Sequence, residues 1–213
     1  MDSHALMAWT ARIVLLAQKS LPAAKYEPGS VTKSMMRSLA QLSSLDRGPV
    51  LAKEFLANHG IPLIVEPHLA KTHLDGASVM VEVLDRPIVG LTLRFDRLDN
   101  FWFCLMHELA HISCHMGESI TQFYDNLEVE GDQMEKEADE TAEEVLIPNS
   151  VWETSPAKSW ASPSAVRSLA RQLNIHPAIV AGRIRYQRNS FRLLNNLVGH
   201  GEVRKHFPEV NWS

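Results

Sequence analysis

A chain of 213 residues, 45% hydrophobic and 22% charged, is long enough to bury one sizeable core and too apolar to remain disordered. The formal net charge of −4 gives no overall attraction to nucleic acid or to an anionic membrane. The average hides an asymmetry: Glu118 to Glu144 holds eleven acids and one base, and Lys158 to Lys205 holds nine bases and one acid, so electrostatic contact with nucleic acid is confined to the C-terminal end.

Residues 3 to 59 predict helices interrupted at Leu21-Pro22, at Glu27-Pro28-Gly29 and near Gly48-Pro49, a helical lead-in (1–59) packed on the core. The longest early apolar stretch, Ala11 to Ala17, is too short for a bilayer and follows no basic segment, which argues against a membrane span or export signal. A core is expected over 60–157. It begins with three strand-like runs, Ile61 to Val65, Ser78 to Leu84 and Ile88 to Leu93, forming a small, mostly antiparallel three-stranded sheet. Asp99 or Asn100 then caps a helix from Phe101 to about His115 whose apolar residues lie on nearly every side, so this helix is buried. Cys104 and Cys114 fall on it ten residues apart, too far for a disulfide, and read as small buried apolar residues in a reduced, cytoplasmic setting.

An acidic linker from about Glu118 to Asp132 leads to a helix over Met134 to Ile147, stopped by Pro148. The last region, 158–213, is basic and helical. Ser162-Pro163 opens one helix to Leu173, and Asn174-Ile175-His176-Pro177 turns into another ending near Tyr186. The apolar spacing of this pair matches a helix-turn-helix, and Arg183, Arg185, Arg188 and Arg192 could meet phosphates; the plainer reading is two helices packed on the core with a solvated basic face.

The chemistry concentrates in His107-Glu108-Leu109-Ala110-His111. Residues four apart share a helix face, so His107 and His111 can point at one metal ion while Glu108 flanks an open coordination position. A catalytic zinc needs three protein ligands and a water, and a neighbouring carboxylate can take the proton of that water. A third histidine ten residues after the first is excluded, because position 117 is Gly117. On the downstream helix, Met134, Ala138, Ala142, Val145 and Leu146 form the apolar stripe. Glu135 lies on that stripe and Glu137 points away, which makes Glu135 the expected third ligand, Glu137 the fallback, and Asp139 a group that orients a ligand histidine. His115 reads as a supporting or packing residue rather than a ligand, and Tyr124 and His115 are both candidates for an oxyanion donor.

Phe101-Trp102-Phe103 ahead of His107-Glu108-Leu109-Ala110-His111, followed by Glu135-Lys136-Glu137-Ala138-Asp139 and Glu144-Val145-Leu146-Ile147-Pro148, resembles the ImmA/IrrE family of metallopeptidases. The nearest likeness is to the peptidase-like part of HigA-type antitoxin regulators, and it runs from the N-terminal helices to about Tyr186. Ala110 stands where the family usually has glycine, and Thr141 where an aromatic is common. The resemblance implies an α+β, mostly helical, zincin-like core of gluzincin type with one Zn2+ held by His107, His111 and Glu135, and Glu108 as general base. It also implies a zinc endopeptidase that cuts a DNA-binding repressor of the XRE type or an antitoxin, in stress, prophage, mobile-element or toxin-antitoxin control. The alternative is a non-proteolytic regulatory or sensor domain of such a transcriptional regulator, with DNA contact through the basic C-terminal region.

Overall fold

A computed structural model describes residues 2–70, 72–116, 122–124 and 131–212, with the side chains of 122–124 and 131–132 outside the description. The elements run α1 (Ser3–Lys19), α2 (Lys33–Gln41), α3 (Gly48–Asn58), β1 (Leu63–Val65), β2 (Gly76–Val81), β3 (Arg86–Leu91), α4 (Leu98–Cys114), β4 (Gln122–Tyr124), α5 (Gly131–Leu146), α6 (Asn149–Thr154), α7 (Pro156–Ser159), α8 (Pro163–Leu173) and α9 (Pro177–Gln187). The fold is α+β and mostly helical. The sheet has the order β1-β3-β2-β4. β1 runs parallel to β3, and β2 is antiparallel to both β3 and β4. The three strand-like runs thus supply three strands, and β4, from within the acidic stretch, adds a fourth.

Alternation along the strands sorts their side chains onto two faces. Ile64, Ala77, Val79 and Ile88 join Leu6, Trp9, Ile13 and Ala17 of α1 in one apolar cluster. Leu63, Val65, Val89 and Leu91 join α4 in the larger one, which extends from Val31 to Phe207. The sheet is therefore sandwiched, with α1 on one side and α4 on the other. Gly90 makes the α1 contact close: a Cβ there would stand 2.7 Å from the Trp9 ring and 2.8 Å from Ile13 Cδ1.

Helix α4 has almost no face for water. Phe101, Trp102, Leu105, Met106, Leu109 and Ala110 are fully buried, with the sheet, α2, α5 and α9 packed around them. At its start the sequence expectation needs correcting. The helix begins at Leu98 after Arg97, and Asp99 lies inside the first turn, where both its carboxylate oxygens accept hydrogen bonds from Arg97. Helix α5 lies along α4 through Ala138 and Ala142, two buried small residues that let the helix axes come close. Among the described residues no helix is long and apolar enough to cross a membrane.

Candidate metal centre

The site forms where α4 and α5 face each other. His107 and His111, four residues apart on α4, turn their Nε2 atoms to within 3.0 Å of one another. From α5, the Glu135 carboxylate stands 3.1 Å from His107 Nε2 through one oxygen and 3.4 Å from His111 Nε2 through the other. Both imidazoles are buried. Ligands about 2.0–2.1 Å from a tetrahedral zinc stand about 3.3 Å from one another. The separations are close to that edge length, the Glu135 pair reaching the two imidazoles through different oxygens, and the two-imidazole, one-carboxylate donor set is one that zinc favours, so these residues fit the ion.

The other imidazole nitrogens are engaged as a ligand pair requires. His107 Nδ1 donates to Asp139 Oδ1 at 2.9 Å. With His111 Nε2 kept for a metal, its Nδ1–H donates to His115 Nδ1 at 3.1 Å, and His115 Nε2–H in turn donates to Glu137 Oε2 at 3.1 Å. Asp139 and His115 thus lie where a ligand histidine is oriented. Glu137, the fallback ligand, stays on the exposed side of α5 and anchors His115 instead. Hydrogen bonds from Gln133 and His115 lower its pKa.

The electrostatics favour the metal-binding protonation states. Burial pushes the His111 imidazole down from its usual value, with Glu135 opposing, so the ring is neutral near pH 7. Burial works to raise the Glu135 carboxyl, yet the adjoining His107 and His111 imidazoles hold it down at about 2. The site therefore sets a neutral His111 imidazole and an ionised Glu135 carboxylate beside His107, a donor set that a divalent cation would complete.

Glu108, beside His107 in sequence, is 1% exposed and rests against the start of β2. A Cβ at Gly76 would come within 2.7 Å of Glu108 Oε1. Sequence reasoning missed Gly76, and nothing in the local pattern marks it, because the contact joins residues far apart in the chain. A cavity of about 540 Å³ adjoins the site, with His107, Glu135 and Asp139 in its wall and α9 on its far side.

Several expectations are corrected here. Arg183 and Arg185 do not face solvent, where phosphates could be met; they are 9% and 3% exposed. Arg183 donates to the Ile147 carbonyl at 2.6 Å and to Asn149 Oδ1 at 2.6 Å, and its guanidinium lies 4.7 Å from the Trp152 ring. Arg185 donates to the Phe191 carbonyl. Arg188 is exposed and spends its guanidinium on the carbonyls of Lys158 and Ser159, and Arg192 is exposed. Cys114 is exposed rather than buried, while Cys104 is partly covered, and the two are not joined in a disulfide. The Tyr124 side chain and most of the acidic stretch from Glu118 to Asp132 lie outside the described residues.

Among curated proteins none matches the chain. A peptidase-family profile described as the IrrE N-terminal-like domain matches residues 57–185, from the end of α3 through α9 and so across every residue of the site. With more than half of its length matched and the His107, His111 and Glu135 donors converging inside that span, the chain belongs to the M78 peptidase family of IrrE N-terminal-like domains.

Proposed function

We propose that the protein is a zinc-dependent endopeptidase whose substrate is a DNA-binding repressor or antitoxin, acting in the cytoplasm. The observation that supports this reading is the convergence of His107, His111 and Glu135 within 4.8 Å of one another, with the buried Glu108 carboxylate borne by the neighbouring residue on the same helix. A zinc ion held there would supply Lewis acidity, polarising the scissile carbonyl and making a water acidic enough to be deprotonated near neutral pH. The residues of the chain do the rest. Asp139 and His115 fix the two imidazoles by accepting hydrogen bonds from their Nδ1–H groups. Glu108 takes the proton of the attacking water on a carboxylate oxygen and hands it to the leaving amine, so one group serves as base and then as acid. Burial by α4 and β2 keeps that carboxylate in place and limits competing water.

The test is cleavage of purified XRE-type repressors and antitoxins, including any encoded beside the gene for this protein, by the zinc-loaded chain and by Glu108→Gln. We expect cleavage by the wild type, a loss of at least about 1,000-fold in kcat for Glu108→Gln, and unchanged zinc stoichiometry in both. A repressor left intact by the wild type, but bound by it, would instead favour a regulatory domain that no longer cuts.

A further inference from the structure

The cavity beside the metal centre has a charge pattern that the proton-transfer chemistry does not use. Four arginines line it among five carboxylates, with Glu135 and Asp139 at the metal-centre end. Three have a carboxylate of their own. Arg94 pairs with Asp75 through two hydrogen bonds, Arg97 with Asp99 through two, and Arg183 with Glu143 at 3.4 Å. Arg185 is the fourth. It is 3% exposed, and one nitrogen donates to the Phe191 carbonyl while Nε and Nη1 are buried with no hydrogen-bond partner among the described residues. Burial pushes Arg185 down from its usual value, with the charge of Asp99 opposing, while the side-chain hydrogen bonds that Asp99 accepts come from Arg97. A buried guanidinium with idle donors lining a cavity is a receptor for an anion, and its planar fork suits a carboxylate.

Position in the fold gives the spacing. Arg185 lies on α9 near the first turn of α4, where Gly182 packs so closely that a Cβ would stand 2.8 Å from Asp99 Cβ. Asn100 lines the cavity at that end, seven residues before the ligand His107. Seven residues of helix at about 1.5 Å each span about 10 Å. An extended peptide covers that distance in about three residues at about 3.3 Å each. Tyr186 and Phe191 are exposed and also line the cavity, so they offer apolar rim to the neighbours of such a residue.

We propose that the cavity is a substrate subsite for an Asp or Glu side chain about three residues from the bond that is cut, with Arg185 as the specificity-determining cation. The proposal rests on the peptidase reading for its substrate, but the carboxylate site can be measured apart from it. Calorimetry on the zinc-loaded chain compares glutarate, as the carboxylate probe, with glutaramide, its neutral counterpart. Glutarate is expected to bind the wild type at least tenfold more tightly than Arg185→Gln, and glutaramide to bind neither. Binding of glutarate equal in the two proteins, or no better than glutaramide, overturns the proposal and leaves the peptidase reading standing. In parallel, a mixture of peptides from a protein digest is exposed to the wild type and the new termini are sequenced. Acidic residues are expected to be enriched about three positions from the cuts, and cuts without that enrichment overturn the proposal. Failure of the wild type to cut any peptide, with Arg185-dependent glutarate binding intact, counts against the peptidase reading and supports the carboxylate site. If Arg185→Gln does not fold, the cleavage profile of the wild type decides alone.

Discussion

Glu108 shows how a single residue far away in the chain can set the chemistry of a motif. Its carboxylate is closed in by its own helix and by Gly76 at the start of β2, where a Cβ would stand 2.7 Å from Oε1, 3.1 Å from Cγ and 3.1 Å from Leu91 Cδ2. With 1% exposure, Glu108 has little free space into which to retreat, so Gly76→Ala must displace it by a sizeable fraction of an ångström. Displacements of that order cost about 10- to 100-fold in rate when the displaced group moves a proton. Zinc affinity should change by less than about threefold, since the atoms nearest the added methyl belong to Glu108 and Leu91 rather than to His107, His111 or Glu135. Paired measurements of kcat and zinc affinity test this, and an unaltered kcat in Gly76→Ala would mean that Gly76 does not position the carboxylate. The asymmetry in what the sequence reveals has the same origin. His107, Glu108 and His111 are legible because helical spacing is local, and Glu135 is legible because one helical wheel separates it from Glu137. Gly76 is not, since only the folded sheet brings it to the site.

Helices α8 and α9 illustrate the limit at the level of elements. Periodicity located both helices and the Ser162 cap, whose hydroxyl accepts from Ala165 N at 3.2 Å. It did not say which face meets what: α9 buries Ala178, Ile179, Val180, Ala181, Arg183, Ile184 and Arg185, which turns both arginines away from the outer surface that a nucleic acid would meet. β4, three residues inside an acidic stretch, carries no alternation long enough to read as a strand. The start of α9 depends on an unusual cap. His176 Nδ1 accepts from Ala178 N at 3.0 Å, while the His176 backbone N–H donates to Ser43 Oγ at 2.9 Å. Only an Nδ1 without a proton can accept. Burial lowers the His176 pKa, with Glu202 and Asp46 opposing, so its folded value lies below that of the unfolded chain, near 6.5. The unfolded state then binds protons more readily. The cap's stability is fully present above about pH 6.5 and is lost as pH falls through the folded value. Caps of this kind contribute about 1 kcal/mol. Urea unfolding at pH 7.5 and 5.5 should show wild type losing about 1 kcal/mol more than His176→Asn, whose amide oxygen caps without titrating. Equal losses would remove the cap from the account.

At the scale of the whole molecule, the metal centre and the core are separable. The larger apolar cluster runs from Val31 in the N-terminal part to Phe207 near the C-terminus and holds α4 and α5 together through Leu105, Leu109, Ala138, Ala142 and Val145, none of which needs a metal to be buried. A zinc ion would add to this only by mass action, through binding the folded form and not the unfolded one. With free zinc at about 100 times its dissociation constant the gain is about 2.7 kcal/mol. For a chain of this length that corresponds to about 5–10 °C in Tm. Chelation should therefore lower Tm by that amount while leaving the far-UV circular dichroism and a cooperative transition intact. The metal-free protein would then keep two helices that already face each other across Ala138 and Ala142, ready to take the ion back without refolding. Collapse of the helical signal on chelation would instead make the ion a structural element, because the α4–α5 contact would then depend on it and the apolar cluster alone would not hold the fold.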